Sequence, residues 1–408
     1  MKSKNIQKGF FMQKFISFIL LFMIFLSVEL FADVKITLKP PSVADPSTTT
    51  GSLVQNAINK ATVTFNDKLY MLDDDYDLAM LGRQKKLAKG MGNASAYSGN
   101  TVASFSGYEG YDIFAFRWGL AAAVVLPSGG ISGAEDRVEE EKDIDAGAGA
   151  TTAFNLGINL TKLFGIEAFT NRLYMNFKGF KMSLDVDDLS YKVSTYGVGI
   201  NYQIIDEGGE RFKLFKWTGL SMGTGFIYNH NKIIYTIEFD EYKYAFYDEV
   251  QDLVVANGGT MPSGNYAHPE IRFTPETQFG VDITTYTIPV EFSTSVRLLW
   301  IFNFSFGAGA DLIFGKSEIV ARSETNITMV DSDGLLSEIS RTKGESPVVV
   351  NNGYAEIDGD TSGTPTFFNF KIMGGFGVCL GPIPVDVSVV YYPFTRGIAV
   401  NAGLGFVW

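Results

Sequence analysis

From about residue 111 to the C-terminus, apolar side chains recur at every second position. Period two marks a β-strand whose two faces meet different surroundings. The last twelve residues, GIAVNAGLGFVW, show it most cleanly. Ile398, Val400, Ala402, Leu404, Phe406 and Trp408 share one face; Ala399, Asn401, Gly403, Gly405 and Val407 share the other. Ten segments carry this alternation: about 111–127, 149–160, 172–186, 192–205, 216–238, 282–298, 301–319, 366–380, 384–393 and the C-terminal stretch. In the third, the apolar phase runs Leu173, Met175, Phe177, then slips at Gly179 to Phe180, Met182 and Leu184, which predicts a β-bulge. Residues 93–113, with Tyr97, Val102, Phe105 and Tyr108, leave room for another strand, so twelve is the alternative count.

The connectors test the count. If the first strand runs outward, the outer connectors are about 128–148, 187–191, 239–281, 320–365 and 394–396. The inner ones are about 161–171, 206–215, 299–300 and 381–383. Three outer connectors are long, polar and acidic, and the inner ones are short. Long outer loops, short inner turns and an even strand number are the pattern of a transmembrane β-barrel. The segment TKLFGIEAFTN (161–171) reads as an ordinary turn, with a short interfacial helix as the alternative.

Before residue 111 the pattern changes. Lys2, Lys4, Lys8 and Lys14 precede the apolar run Phe15–Leu26, and Ala32 closes a cleavage site, which predicts a secretory signal over 1–32. Residues 33–52, rich in Pro and Thr, read as a linker. Val54, Ile58, Ala61, Phe65 and Leu69 then follow helical spacing, and Leu78, Leu81 and Leu87 suggest a second short helix ending near Gly90. Residues 33–110 therefore form a helical region that either caps the barrel from the periplasm or plugs its lumen, and 111–408 form the barrel.

The aromatic C-terminal strand resembles that of Gram-negative outer-membrane barrels, with Leu404, Phe406 and Trp408 as the assembly signal. The resemblance implies the barrel-assembly machinery and outer-membrane lipid as partners. The stretch Gly90-Met91-Gly92-Asn93-Ala94 resembles the hatch-to-barrel junction of the FadL family of hydrophobic-compound transporters. That family has fourteen strands and often an Asn-Pro-Ala sequence, which this chain lacks. The rival to a barrel is a secreted β-sandwich.

Composition narrows the function. The net charge is −12, and the first 32 residues hold four Lys and one Glu, so the remainder is more acidic still. Nucleic-acid binding through a basic footprint is excluded as a leading reading. With a mean hydropathy of +0.09 and every later apolar run broken by Gly, Asn, Ser or charge, a helical membrane protein is excluded too. The single Cys379 cannot form an intramolecular disulfide; it reads as a small packed residue.

Arg117, Lys178, Lys181, Asp185, Glu291, Arg297, Asp311, Lys371 and Asp386 all fall in the polar phase of their strands. They are the candidate lumen-facing charges, paired inside the barrel and away from lipid, with Arg117 and Glu291 the first expected pair. His230 and His268 lack the Asp-x-His arrangement seen in a ten-strand outer-membrane protease family and read as solvated. The acidic clusters Glu139–Asp145, Asp331–Asp333 and Asp358–Asp360 lack the spacing of a calcium loop. No catalytic set, metal site or cofactor is expected. The reading is an all-β outer-membrane barrel, both termini periplasmic, whose long acidic loops meet an extracellular ligand or host component; the alternative is a FadL-like or porin-like transporter.

Overall fold

The structure is a computed structural model. It describes residues 35–48, 50–52, 54–56, 58–60, 63, 79–102, 113–127, 145–165, 172–205, 215–238, 241–245, 247–256, 258–262, 269–331 and 334–408. The expected signal segment, Phe105, Tyr108, His268 and most of the Glu139–Asp145 cluster lie outside them.

Ten antiparallel strands close into a ring. They are β1 (Phe114–Val125), β2 (Gly147–Asn159), β3 (Leu173–Val186), β4 (Leu189–Ile205), β5 (Phe215–Glu238), β6 (Glu270–Leu298), β7 (Phe302–Val330), β8 (Phe368–Leu380), β9 (Ile383–Tyr392) and β10 (Gly397–Val407). Each pairs with its sequence neighbour, and β10 pairs with β1 to close the wall. Closure bonds the backbone groups that lipid would leave unsatisfied, except at the β2–β3 seam, where pairing runs only from Asn159↔Tyr174 to Phe154↔Gly179.

The burial pattern of β1 alternates strictly. Phe116, Trp118 and Leu120 point out and are exposed; Ala115, Arg117, Ala121 and Ala123 point in and are buried. The same holds for Val385, Val387 and Val389 on β9 and for Val400, Leu404 and Phe406 on β10. An apolar exterior around a small and polar interior is the inverse of a soluble fold, and fits lipid outside. Exposed Trp300 and Trp408 lie at the short-turn end of this belt. Tyr196, Tyr228 and Tyr286 lie toward the other, Tyr228 and Tyr286 with ring centroids 5.4 Å apart. Above them the outward face turns polar: Asp282 meets His230 at 3.2 Å and Lys232 at 3.0 Å.

The structure corrects several expectations. No register shift occurs at Gly179: β3 pairs with β4 without interruption from Leu173↔Tyr202 to Val186↔Leu189. Phe180 therefore keeps the inward phase and packs against Val102, Ala121 and Ala153. Strands β6 and β7 are 29 residues each, much longer than expected, at the expense of the flanking loops. Crossing a bilayer takes about 9–11 tilted residues, so both project far beyond the belt. The turn after β2 contains a short helix, Leu160–Phe164, in place of an ordinary turn. Asn159 caps it, accepting from the Lys162 backbone N–H at 3.2 Å, and Gly165 ends it with φ of 59°.

The N-terminal region divides. Lys35–Lys39 pairs with Gly353–Asp358, which in turn pairs with Arg322–Ile327 on the projecting part of β7. The described residues between 50 and 60 are helical, with Val54 and Ile58 buried one turn apart. They share an apolar core with the helices Tyr247–Ala256 and Leu335–Thr342 and the far ends of β6 and β7. This cap sits at the long-loop end, opposite Trp408, whereas the sequence places a cap with the short turns. The helix predicted to end near Gly90 continues to Thr101, as α1 (Ala79–Thr101); Lys85 and Lys86 are exposed, and from Gly90 to Thr101 its residues are buried inside the barrel.

Candidate functional site: a helix sealed in the lumen

Small residues bring α1 close to the wall. Gly90 lies against the Ala146 and Gly147 backbone, where an added Cβ would clash. Gly92 abuts Pro365 and Ser317 from another side, and Gly99 abuts Asn229. The GMGNA stretch is therefore interior to a helix that needs side chains too small to hold it off the strands.

Polar side chains then fix its position. Asn93 accepts from the Thr366 backbone N–H at 2.7 Å. Asn229 and Asn231 donate to the Ser95 hydroxyl at 2.8 and 2.9 Å. The Tyr97 hydroxyl donates to Asn369 at 2.8 Å, and its ring stacks on Tyr392. Gly397 lets this happen, because a Cβ there would strike the Tyr97 ring.

The C-terminal end of α1 meets the lumen charges. Lys178 donates to the carbonyls of Gly99 and Asn100 at 3.2 and 3.0 Å. A cation there satisfies helix carbonyls that have no partner within the helix and meets the negative end of its dipole. Asn100 donates to Asp311 Oδ2 at 2.9 Å, and the Tyr392 hydroxyl donates to the same atom at 3.0 Å. Lys371, 1% exposed, pairs with Asp311 Oδ1 at 2.7 Å and with Glu291. Arg117 pairs with Asp386 rather than Glu291, a correction to the expected pair. Lys371 thus faces two carboxylates, and the Lys178 ammonium beside the helix end offsets the surplus negative charge.

Of the nine candidate charges, Arg117, Lys178, Glu291, Asp311, Lys371 and Asp386 gather around this end of α1. Arg297 shares the inward phase of Glu291 but lies nearer the short turns, in register with Asn303. Lys181 and Asp185 do not face the lumen. With no bulge at Gly179 both take the outward phase of Phe177, and Asp185 accepts from Ser190 across the β3–β4 hairpin at 2.7 Å. Leu404, Phe406 and Trp408 face outward. Cys379 is half-buried beside Ala115 and Tyr174.

Cavities of about 30 and 80 Å³ flank Asn100, the first lined by Arg117, Lys371 and Asp386, the second by Lys178, Asn155 and Glu291. About 10–15 Å³ of such space is enough to hold one water, so both gaps have room for more than one. The arrangement neutralises charge and leaves room for water beside Asn100. Asn93, Ser95, Tyr97 and Asn100 are the site residues the sequence reading misses; their spacings of two, two and three carry no helical period.

A family model for Lsa36-like proteins matches residues 31–408. The chain belongs to the Lsa36-like family. No curated protein matches it. Among solved structures, the translocator domain of the autotransporter NalP from Neisseria meningitidis aligns at 7% identity and TM-score 0.27, covering 78% of this chain and 99% of that one. The Pseudomonas putida toluene transporter TodX aligns at 7% and 0.22, covering 79% and 96%. LpxR from Salmonella typhimurium aligns at 7% and 0.18, covering 71% and 100%. This Lsa36-like chain has the architecture of an outer-membrane β-barrel, on the evidence of its own closed ring and apolar exterior.

Proposed function

We propose that this Lsa36-like protein is a non-catalytic outer-membrane surface protein. Its barrel is an anchor, α1 and the lumen charges are its seal, and the long-loop end is its working surface. One observation carries this reading: β5, β6 and β7 continue beyond the apolar belt and carry a cap with its own core, built around Val54, Ile58, Val250, Ile271, Leu335 and Ile339. A membrane anchor alone needs no such structure. The acidic connectors would meet the extracellular ligand. The test is binding of whole cells to immobilised extracellular components, with residues 239–269, the connector between β5 and β6, exchanged for a short turn. Loss of binding with an intact barrel supports an adhesin-like role; unchanged binding by cells with and without the protein removes it.

A second reading is a narrow transporter with α1 as gate. It draws on the β2–β3 seam. Their register runs from Asn159↔Tyr174 only to Phe154↔Gly179, so among the described residues the upper halves of both strands lie beyond their mutual pairing. Solute-dependent uptake that disappears when α1 is cross-linked to the wall would favour it.

A further inference from the structure

Three fixed points define the path of the chain. Lys35–Lys39 lies at the long-loop end, joined through Gly353–Asp358 to Arg322–Ile327. Along β7 this is some twenty residues from Phe302, or roughly 65 Å of strand. Phe302 itself lies at the short-turn end, paired with Leu298 across the hairpin. Next comes α1. Gly90 touches Ala146 at the long-loop rim, and Asn100 reaches Asp311, within the stretch where β7 pairs with β8. The helix therefore descends from the long-loop end toward the short turns. The third point is Ile113, whose N–H donates to the Trp408 carbonyl at 2.9 Å. Phe114 and Trp408 exchange backbone hydrogen bonds at 2.9 and 2.8 Å beside it. From there β1 runs back up the wall.

The chain is thus threaded. Its described part starts at one end of the barrel, enters the lumen as α1, which descends as far as Val102 beside Ala121 and Ala153, and is next described at Ile113 at the other end. We propose that residues 35–60 cross the outer membrane and are displayed on the outer face, with α1 left in the lumen as both thread and seal. This rests on the reading that the long-loop end faces outward. The whole chain reaches the outer membrane from the periplasm, so a segment docked on the outer ends of β6 and β7 has to be carried across. The lumen admits it: a bore that holds a helix about 10 Å across also passes a single extended chain. The sequence of α1 suits such a place, with no acidic residue between Ala79 and Thr101 and small residues where it touches the wall.

Single cysteines test this in the full-length protein after Cys379→Ser. Ala44→Cys and Pro46→Cys sit in the exposed turn of the N-terminal segment. Asp188→Cys marks the long-loop end and Pro382→Cys the short-turn end, both exposed. Intact cells are treated with a membrane-impermeant maleimide before and after permeabilisation of the outer membrane. The expected result is labelling at 44, 46 and 188 on intact cells, unchanged by permeabilisation, and labelling at 382 only afterwards. Labelling at 188 on intact cells, with 44 and 46 silent until permeabilisation, overturns the inference and leaves the orientation standing. Labelling at 382 but not 188 on intact cells overturns the orientation, and the inference with it. Two positions in one turn, each checked for a heat-modifiable band, separate inaccessibility from misfolding.

Discussion

The ring of Tyr97 lies flat on that of Tyr392, with centroids 3.6 Å apart and planes 10° from parallel. One ring belongs to α1 and the other to the end of β9, 295 positions later in the chain. The contact joins thread to wall, and each hydroxyl is anchored: Tyr97 on Asn369 and Thr395, Tyr392 on Asp311.

Tyr97→Ala should therefore loosen the seal. Truncating a buried aromatic typically costs about 3–5 kcal/mol. Tyr97→Phe keeps the ring and loses hydrogen bonds worth about 0.5–1.5 kcal/mol each. The expected ranking is wild type, then Phe, then Ala in the temperature at which the folded electrophoretic band is lost, with limited proteolysis of α1 in the reverse order. Equal behaviour of Ala and wild type would mean that α1 is not held there.

The lumen charges form a coupled unit. Lys371→Met leaves the fully buried Asp311 without its cation, a change that typically costs about 3–5 kcal/mol, and removes one partner of the part-buried Glu291. Adding Asp311→Asn removes one stranded charge, so the double variant should be more stable than Lys371→Met alone. Urea midpoints in detergent give the coupling directly. A double variant whose losses simply add would show that the two side chains do not interact.

Asp145 stands at the long-loop rim, two residues before β2. Burial holds its carboxyl above the ordinary value, against the opposing pull of Lys89, Lys86 and Arg396. Its protonated form is thus favoured by folding. The resulting stabilisation is complete below the unfolded value of 3.8 and is lost as pH rises through the folded one. Asp145→Asn should remove this acid-side gain and flatten the profile. Melting temperature against pH for both proteins checks it; parallel profiles would remove Asp145 as the cause.

The full-length protein should be electrically silent in planar bilayers, because α1 occupies the bore. Deleting residues 33–100 should open it, with a selectivity set by Arg117, Lys178, Lys371 and the facing carboxylates. Conductance by the full-length protein equal to that of the deletion would mean that α1 does not close the lumen.

Much of the barrel was legible because its physics is local. Lipid on one side and a polar lumen on the other impose period two on each strand separately, so Phe116, Trp118 and Leu120 declare their face within a few residues. Hairpin connectivity follows from order, and the alternation left ten strands or twelve, which the closed ring settles at ten. The longer reach of β6 and β7 was less visible, since beyond the belt no lipid enforces the alternation.

What tertiary structure alone decided is which distant groups meet. Arg117 chooses Asp386, 269 positions away, because β10 brings β9 near β1; strand phase places both inside the barrel and says nothing of their height or azimuth. The facing of Lys181 and Asp185 hung on whether Gly179 bulges, and continuous pairing with β4 settled it. The place of α1 is the clearest case. Its glycines, alanines and serines carry little apolar signal, and they earn a helix only when the enclosing wall supplies Asn229, Asn231, Asn369 and Tyr392 as partners. Sequence determined an even-stranded barrel with apolar exterior, because each strand meets lipid on its own; closing the ring at ten determined what runs through it, because that depends on which distant groups meet.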